Sequence, residues 1–475
     1  MTYLPARMLS PRQKAIAVAV ILLAAGLRLR GMREWSFNND EIAEVRWSSR
    51  SFSGMMEDVR ADAVHPPLDY MLQHVISRVR VPPWVHRVPP ALFGIGTVAL
   101  AIFLGACWFS PEAGLIAGFL LTIAPNHVRY SQEVRPYSMG FFFIFAALAA
   151  LEMYARSRRP RWAGIWFASV FLAGATLYFA GMIAAVTSLT RILIGRKDEL
   201  SVLWRRLPVI ILAWALLYTP WLRVVLNAVH ATPPQQPEKL NSYWWLFRMQ
   251  VLGAGDWRNE AVSLGSIAFW LAVGIGLLVS IRSRLLLVAT SWFLAGGALT
   301  LVVLHVHPHY STSRYLLPAW LGAFLLAGSG IAALWRWIYA RPLAAAILIV
   351  FAGFAALTLQ TYYRGERADW RGIAMYVSER ARPGETVIAA NNWALRNFNY
   401  YWQRLPHRDG VVVDRFMPDK RDFVGPAWIV TGQCTPRQSL NGIGIMKRFP
   451  MSEMAEVRYV RPGQRLPMRE ELCPE

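Results

Sequence analysis

Long runs of residues without Asp, Glu, Lys or Arg alternate with short polar segments over most of the first 363 positions. A helix needs about 20 apolar residues to cross the hydrocarbon core of a bilayer. The pattern therefore predicts a series of membrane-spanning helices. Their uncharged cores lie at residues 15–27, 88–109, 113–126, 137–151, 162–190, 207–222, 261–281, 285–304, 315–335 and 342–363.

The run at 162–190 is long enough for one tilted helix, or for two short helices that meet near residues 179–181. Basic clusters flank it at residues 156–161 and 196–197. Because Lys and Arg are enriched in cytoplasmic loops, both clusters are expected on the cytoplasmic side, which requires two crossings between them. We therefore predict eleven crossings, a cytoplasmic N terminus and a C-terminal tail outside the membrane.

The first apolar stretch follows basic residues, as in a secretory signal peptide. No small-x-small cleavage motif comes after it, and Arg28 and Arg30 do. We interpret it as an uncleaved first helix whose two arginines extend along the helix toward the membrane surface.

The polar tail has the pattern of a small α/β domain. A helical spacing of apolar residues at 369–380 is followed by short strand-like runs at 386–390, 411–413 and 428–430. The predicted domains are a helical membrane domain at residues 1–363, with an outer loop at 28–87, and an extracytoplasmic α/β domain at 364–475.

Composition supports the membrane class. Hydrophobic residues make up 55% of the 475 and charged residues only 17%, against about 25% in soluble domains. The net charge of +21 would indicate nucleic-acid binding in a soluble protein. Here the basic residues lie between apolar runs, which favours contact with anionic lipid or with a phosphorylated lipid.

The three cysteines, Cys107, Cys434 and Cys473, form no CxxC pair, so a thiolate zinc site is not expected. Cys434 and Cys473 both lie in the tail, where an oxidising compartment would allow a disulfide. The sequence leaves their pairing open.

Two adjacent carboxylates, Asp40 and Glu41, follow the first predicted crossing. A carboxylate at the membrane surface can act as a general base on an acceptor hydroxyl or amine. The alternative is a helix cap, in which Asn39 or Asp40 begins a helix at 42–49. His65 precedes two prolines and an amphipathic helix at 68–79, which we interpret as interfacial, and a structural role for this histidine is the competing interpretation.

The segment after residue 126 places His127, Arg129, Glu133 and Arg135 between two apolar runs. Polar groups so close to the bilayer need partners or a task. Arginine suits a phosphate because its planar fork donates several hydrogen bonds and stays charged. Interfacial anchors with one Glu–Arg pair are the alternative.

A later outer segment contains His305, His307 and His309, followed by Arg314. Three histidines this close could ligate a metal. Because they alternate around Pro308, hydrogen bonding to a diphosphate-like group is an equal alternative, with Arg314 as the phosphate ligand. Tyr243, Trp244 and Trp245, in the outer segment 224–260, are interpreted as an interfacial aromatic belt.

Together these motifs resemble the bacterial membrane proteins related to protein O-mannosyltransferases and aminoarabinose transferases (glycosyltransferase family 39), which have the GT-C fold. The resemblance covers almost the whole chain. The residues that carry it are Asp40-Glu41, His65-Pro66-Pro67, Tyr130-Ser131-Gln132-Glu133-Val134-Arg135-Pro136-Tyr137, His309-Tyr310, Arg314-Tyr315-Leu316-Leu317-Pro318 and Asp369-Trp370-Arg371-Gly372-Ile373-Ala374.

The resemblance implies an inverting transfer of a sugar from a polyprenyl-phosphate donor to a lipid, glycan or protein acceptor at the outer face of a bacterial plasma membrane. It implies that Asp40 is the catalytic base and that Glu41 orders the site. It implies substrate binding by His65, Glu133, Arg135, Tyr137, His309 and Arg314. It implies no certain cofactor and leaves a divalent metal open, and neither nucleotide nor nucleic acid is expected as a partner.

Two other functions would also use basic outer loops. A flippase for lipid-linked sugar is expected to show repeated halves and ionisable residues within its spans, and the sequence shows no repeat. A polysaccharide polymerase or ligase is the second alternative, against which Asp40-Glu41 directly after the first helix favours the transferase.

Overall fold

The computed structural model describes residues 9–231, 261–279, 281, 283–306, 313–365, 369–405, 411–415, 426–432, 445–449 and 452–462. Contacts divide the chain into two compact units. The membrane unit comprises Met1–Met32 and Trp47–Leu359, and the tail unit comprises Arg33–Arg46 and Gln360–Glu475. The predicted boundary after residue 363 stays a prediction, and the contacts add a short N-terminal segment to the tail unit.

Helices make up most of the chain before the tail. In chain order they are α1 (Pro11–Leu29), α2 (Asn39–Ser48), α3 (Phe52–Asp62), α4 (Leu68–Ser77), α5 (Val88–Trp108), α6 (Pro111–Ile123), α7 (Pro125–Tyr130), α8 (Tyr137–Ser157), α9 (Pro160–Thr176), α10 (Tyr178–Ile194), α11 (Ser201–Ala231), α12 (Ala261–Val279), α13 (Leu286–Thr290), α14 (Gly296–Val306), α15 (Leu317–Arg336) and α16 (Arg341–Gly365). Short 3₁₀ turns lie at Pro83–Arg87, Ser313–Leu316 and Ile338–Ala340, and a π-helical turn at Ser291–Ala295 joins α13 to α14.

Every predicted apolar run coincides with a helix or with two consecutive helices. Among the described residues, five helices are long and apolar enough to cross a membrane. They are Pro83–Trp108, Tyr137–Ser157, Ser201–Asn227, Arg314–Arg336 and Ile338–Arg364. Shorter apolar helices lie at Pro111–Ile123, Tyr178–Ile194, Leu264–Val279 and Leu286–Val302. The prediction of a polytopic helical membrane protein is confirmed.

The ambiguous run at 162–190 forms two helices, α9 and α10, and the chain reverses at Leu177. The indole nitrogen of Trp166 donates to Ser188 Oγ at 3.0 Å, which pairs the far ends of the two helices. At the near ends, a Cβ added to Gly181 would lie 2.5 Å from Gly174 Cα. Small residues thus permit a close antiparallel contact, and the break falls just before the predicted position.

The pair α12 and α15 packs with comparably short spacing. A Cβ on Gly276 would lie 2.0 Å from the Leu326 carbonyl oxygen, and one on Gly330 would lie 2.2 Å from that of Ala272. Helix α15 is buried along almost its whole length, so it forms the centre of the helical core.

A buried ion pair joins α8 and α10. The carboxylate of Glu152 accepts from Arg191 Nε at 2.5 Å and from the indole nitrogen of Trp108 at 3.0 Å. Arg191 also donates to Glu199 at 3.0 Å. Both Arg191 and Glu152 are fully buried, and mutual pairing offsets the cost of placing their charges in the helical core.

The expectation for Arg28 was wrong. Its side chain is fully buried rather than extended to the membrane surface. It donates to the carbonyl oxygens of Ala24, Leu121 and Thr122 at 3.1 to 3.3 Å, and it contacts His127. A guanidinium can be buried here because helix-end carbonyls of α6 satisfy its donors. Arg30 is exposed.

The tail unit contains helices α17 (Trp370–Arg380) and α18 (Asn392–Trp402) and a sheet of β1 (Thr386–Ala389), β2 (Val412–Arg415), β3 (Ala427–Gly432), β4 (Ile445–Phe449) and β5 (Ser452–Val460). The strand order is β2-β1-β3-β5-β4. Strand β1 is parallel to β2 and β3, whereas β5 is antiparallel to β3 and β4. The predicted α/β character of the tail is confirmed.

Candidate functional site

The loop before α4 is held in a defined path. Ala63 has a positive φ of 49°, a conformation that costs energy for a residue with a side chain. Its carbonyl oxygen accepts from Tyr178 Oη at 3.1 Å, and Tyr178 in turn accepts from the indole nitrogen of Trp221 at 2.7 Å. These contacts fix the backbone two residues before His65.

The ring of His65 is enclosed, with 1% of the residue exposed. It packs edge-on against the rings of Tyr137 at 5.8 Å and Tyr315 at 6.1 Å. Among the described residues neither ring nitrogen has a hydrogen-bond partner. A buried polar group in this condition is uncommon and points to a function or to a ligand.

Burial lowers the pKa of His65 well below its usual value, and the positive charges of Arg135 and Arg314 lower it further. The imidazole is therefore neutral at physiological pH. The same effect shows that both arginines lie close enough to act on this ring. Three predicted substrate-binding residues are thus brought together from three separate parts of the membrane unit.

The segment between α7 and α8 supplies the rest of this cluster. Glu133 is buried and accepts from Arg129 Nε at 3.1 Å, so the Glu–Arg pair weighed from the sequence is present. Arg135 is 9% exposed. The ring of Tyr137 is fully buried and lies 4.7 Å from that of Tyr130.

Several charged groups also act on the buried phenol of Tyr130. Burial raises its pKa above the ordinary value, Arg129 and Arg314 oppose that rise, and Glu133 and Tyr137 add to it. Tyr130 is therefore a neutral hydroxyl group among charged neighbours. Arg314 lowers the pKa of both Tyr130 and His65, so it lies near both rings.

Sequence reasoning did not find the support beneath the cluster. Gln132 Nε2 donates to the carbonyl oxygens of Leu27, Arg28 and Arg30 at 2.7 to 3.3 Å, and Ser131 Oγ donates to that of His127. A nitrogen of Arg28 lies 2.7 Å from Nδ1 of His127. Because a guanidinium only donates, Nδ1 accepts and the ring proton lies on Nε2. The one sequence feature that could have indicated these contacts is Arg28, a charged residue at the end of the first predicted helix.

Asp40 and Glu41 belong to the tail unit. Helix α2 begins one residue before Asp40 and is capped by Asn38, whose Oδ1 accepts from the Glu41 N–H at 2.9 Å. Glu41 returns the contact by accepting from the Asn38 N–H at 3.0 Å. This is a reciprocal capping box. The capping residue is thus Asn38 rather than Asn39 or Asp40, and Asp40 lies half-buried in the first turn.

Some sequence predictions fall outside the described residues. They concern His307 and His309, the aromatic residues Tyr243, Trp244 and Trp245, and the cysteines Cys434 and Cys473. The side chain of His305 is also not described. Within the described ranges, no group of three His, Cys, Asp or Glu side chains is placed to hold a metal ion.

Taken together, the described elements form a polytopic helical membrane protein with a small α/β unit and a cluster of arginine, histidine and tyrosine side chains. No protein-family model matches the sequence, and no curated protein sequence matches it closely enough to be a relative. Solved structures do match.

The chain is similar to ArnT from Cupriavidus metallidurans in the apo state, with a TM-score of 0.58 and 16% identity over 94% of this chain and 98% of that one. ArnT bound to undecaprenyl phosphate gives 0.55 and 15%, over 94% and 97%. AglB, an oligosaccharyltransferase from Archaeoglobus fulgidus in complex with an inhibitory peptide and a dolichol-phosphate, gives 0.52 and 11%, over 85% and 65%. These matches show that the chain has the GT-C fold, as its motifs predicted.

Proposed function

We propose that this protein is a membrane glycosyltransferase that moves a sugar from a polyprenyl-phosphate donor to an acceptor at the outer face of the bacterial plasma membrane. One observation carries the proposal: in a chain with the GT-C fold, the enclosed ring of His65 packs against Tyr137 and Tyr315, and Arg135 and Arg314 lie close enough to lower its pKa. Two of the similar structures hold a polyprenyl phosphate, undecaprenyl phosphate in ArnT and dolichol phosphate in AglB.

The arginine cluster suits a lipid phosphate. Two guanidinium groups supply fixed positive charge and donors in a fork that matches phosphate oxygens. Neutral His65 adds a ring N–H that can donate to an oxygen, and Tyr137 adds a hydroxyl group. Glu133 pairs with Arg129 within the same segment, and in this proposal Arg135 and Arg314 make the phosphate contact.

The proposed reaction inverts the sugar. The acceptor oxygen or nitrogen forms a bond to the anomeric carbon while the bond from that carbon to the phosphate oxygen breaks. The electron pair leaves with the lipid phosphate, whose charge is stabilised by the arginines. Asp40 takes the acceptor proton. Glu41 holds the start of α2 through the capping contact with Asn38.

The test uses purified full-length protein in nanodiscs with a panel of radiolabelled polyprenyl-phosphate sugars. Release of sugar to water or to an acceptor extract is followed for the wild type and for Asp40→Asn. We expect turnover with one donor and a loss of ~100-fold or more in Asp40→Asn, because general-base catalysis contributes about that much. Unchanged turnover in Asp40→Asn would contradict the assigned base.

The phosphate contacts are tested separately. Arg135→Gln and Arg314→Gln should each raise KM for the donor about 10-fold, since a charged hydrogen bond contributes roughly 1.5–3 kcal/mol. Arg156→Gln, at the exposed far end of α8, is the matched control and should leave KM unchanged. Movement of sugar-lipid across liposomes without any transfer would instead identify a flippase.

A further inference from the structure

The segment that leads into α2 is held by contacts with the C-terminal part of the chain. Residues 33–38 immediately precede the turn that carries Asp40 and Glu41, and they group with the C-terminal residues in the tail unit. Their backbone and side-chain groups bond to α17 and α18, which lie more than 330 positions later in the sequence. These contacts involve none of the groups that take part in the proposed chemistry.

Ser36 and Asp369 form the centre of this contact. Ser36 is 3% exposed, and its Oγ donates to Asp369 Oδ1 at 3.0 Å while accepting from the Arg371 N–H at 3.0 Å. The same Asp369 oxygen caps α17 by accepting from the Gly372 N–H at 2.9 Å. A Cβ at position 372 would lie 2.2 Å from Asp369 Oδ2, so glycine is required for this approach.

Arg371 holds the backbone of the same segment. One of its terminal nitrogens donates to the Glu34 carbonyl oxygen at 3.0 Å and the other to that of Arg33 at 3.4 Å. The guanidinium fork can reach two successive carbonyls because its donors are fixed in one plane. The contact depends on the path of the backbone at 33–34 and not on the side chains there.

The next residues are fixed as well. The Phe37 N–H donates to Tyr401 Oη at 2.6 Å, and Phe37 itself is 1% exposed. The ring of Trp35 packs against Tyr362 at 5.1 Å and Tyr363 at 5.7 Å. Phe37 adjoins Asn38, the capping residue of α2. A displacement of residues 35–37 would therefore be transmitted directly to the first turn of α2.

We infer that the C-terminal α/β unit positions the carboxylate segment for catalysis, with Ser36, Asp369, Arg371 and Tyr401 as positioning residues. This inference rests on the proposed function, because it concerns where Asp40 stands when it takes the acceptor proton. It gives the Asp-Trp-Arg-Gly sequence at 369–372 a role that is separate from binding the donor. Misplacement of a reacting group by about 1 Å can cost ~100-fold in rate.

The experiment measures kcat and donor KM for Ser36→Ala, Arg371→Gln, Arg371→Lys and Tyr401→Phe in the full-length protein. We expect kcat to fall at least ~10-fold in Ser36→Ala and Arg371→Gln, with donor KM within about twofold of the wild type. Arg371→Lys should recover part of the loss, since it restores one donor. Arg380→Gln, which removes an exposed arginine from the same helix, should change neither constant.

Hydrogen–deuterium exchange gives a readout that does not depend on turnover. Amides of residues 34–41 should exchange faster in Arg371→Gln and Tyr401→Phe than in Arg380→Gln, while exchange in β1 and β3 stays as in the wild type. Tyr401→Phe removes a single hydroxyl group, so it keeps the test valid if Ser36→Ala fails to fold.

Three results would contradict the inference. Variants with kcat equal to that of Arg380→Gln would show that the contacts do not position the base. A rise in KM at constant kcat would show a binding role instead. Absence of turnover in the wild type with every donor would overturn the proposed function and the inference together, whereas turnover in the wild type with unaffected variants would overturn the inference alone.

Discussion

At the scale of single residues, the surroundings of each buried ionisable group determine how its polar atoms are satisfied. His65 and Arg28 are both ionisable and both enclosed, yet they differ in charge. Arg28 is a guanidinium, which keeps its charge in proteins, and backbone carbonyls accept its donors. His65 is neutral because it is buried beside two other positive charges. The electrostatic surroundings of each side chain therefore follow from its partners in space.

The first residue-scale prediction concerns pH. The pKa of His65 is lowered in the folded state, so between that value and the unfolded value near 6.5 only the unfolded chain binds the proton. The free energy of unfolding should therefore fall as the pH drops below about 6.5, by up to about 1.4 kcal/mol per pH unit for this group. Thermal unfolding in detergent between pH 7.5 and 5 should show a smaller loss for His65→Phe than for the wild type. An identical pH dependence in both would contradict a neutral His65.

The second residue-scale prediction concerns Arg28. Arg28→Met removes the donors to three carbonyls and to His127, and it leaves buried acceptors unsatisfied, at a cost of about 3 kcal/mol or more. The unfolding temperature in detergent should fall by several degrees. Arg30→Met, two positions on and exposed, is the control and should be close to the wild type. Equal unfolding temperatures of the two variants would contradict the buried contacts of Arg28 and favour a side chain that extends to the membrane surface.

At the scale of elements, close helix packing depends on small residues at a few positions. The α9–α10 pair reverses at Leu177 and meets at Gly174 and Gly181. Helices surrounded by lipid gain little from the hydrophobic effect when they associate, so close packing and interhelical bonds decide the contact. In α9–α10 the bond from Trp166 to Ser188 completes the pair.

The element-scale prediction follows from that contact. Gly181→Leu places a side chain where a Cβ alone would lie 2.5 Å from the backbone of Gly174. The helix pair must separate, at a cost of roughly 1–3 kcal/mol or more. Gly164→Leu, in α9 with open space around its Cα, should be neutral. The unfolding temperature in detergent should be lower for Gly181→Leu than for Gly164→Leu. Equal unfolding temperatures would contradict the close approach of the two helices.

At the scale of the whole molecule, the chain order places the predicted chemistry in segments far apart in sequence. The cluster that we propose binds the donor takes residues from positions 65, 135 and 314 within the membrane unit. The carboxylate pair groups with residues beyond 360 in the tail unit. On the proposed function, substitutions around His65 should change mainly the donor KM, and substitutions around the carboxylate pair should change mainly kcat.

The whole-molecule prediction concerns topology. With α9 and α10 as two crossings, residues 159 and 197 should both face the cytoplasm and the C-terminal tail should lie outside. Single cysteines at Arg159 and Lys197, in a chain with its three native cysteines replaced, should both resist a membrane-impermeant thiol reagent in intact cells. A C-terminal alkaline phosphatase fusion should be active. Labelling at one position and not the other would indicate a single crossing.

The sequence by itself determined the fold class, the helical segments and the mixed α/β tail. Apolar runs of about 20 residues in a bilayer form helices, because a helix satisfies every backbone N–H and C=O group within its own segment. In the tail, the helical spacing of apolar residues predicted the helix at 369–380 to within one residue of its observed start. Strands β4 and β5 and helix α18 were not predicted from the sequence.

Only the tertiary structure decided which residues meet. It brought His65, Arg135, Arg314, Glu133 and Tyr137 into one cluster, buried Arg28, and joined Ser36 to Asp369. Hydrophobic periodicity reports which side of an element faces the core, but it contains no information on which distant element lies opposite. Those pairings depend on close packing and on satisfying buried donors and acceptors across the whole chain, and a local pattern cannot specify them.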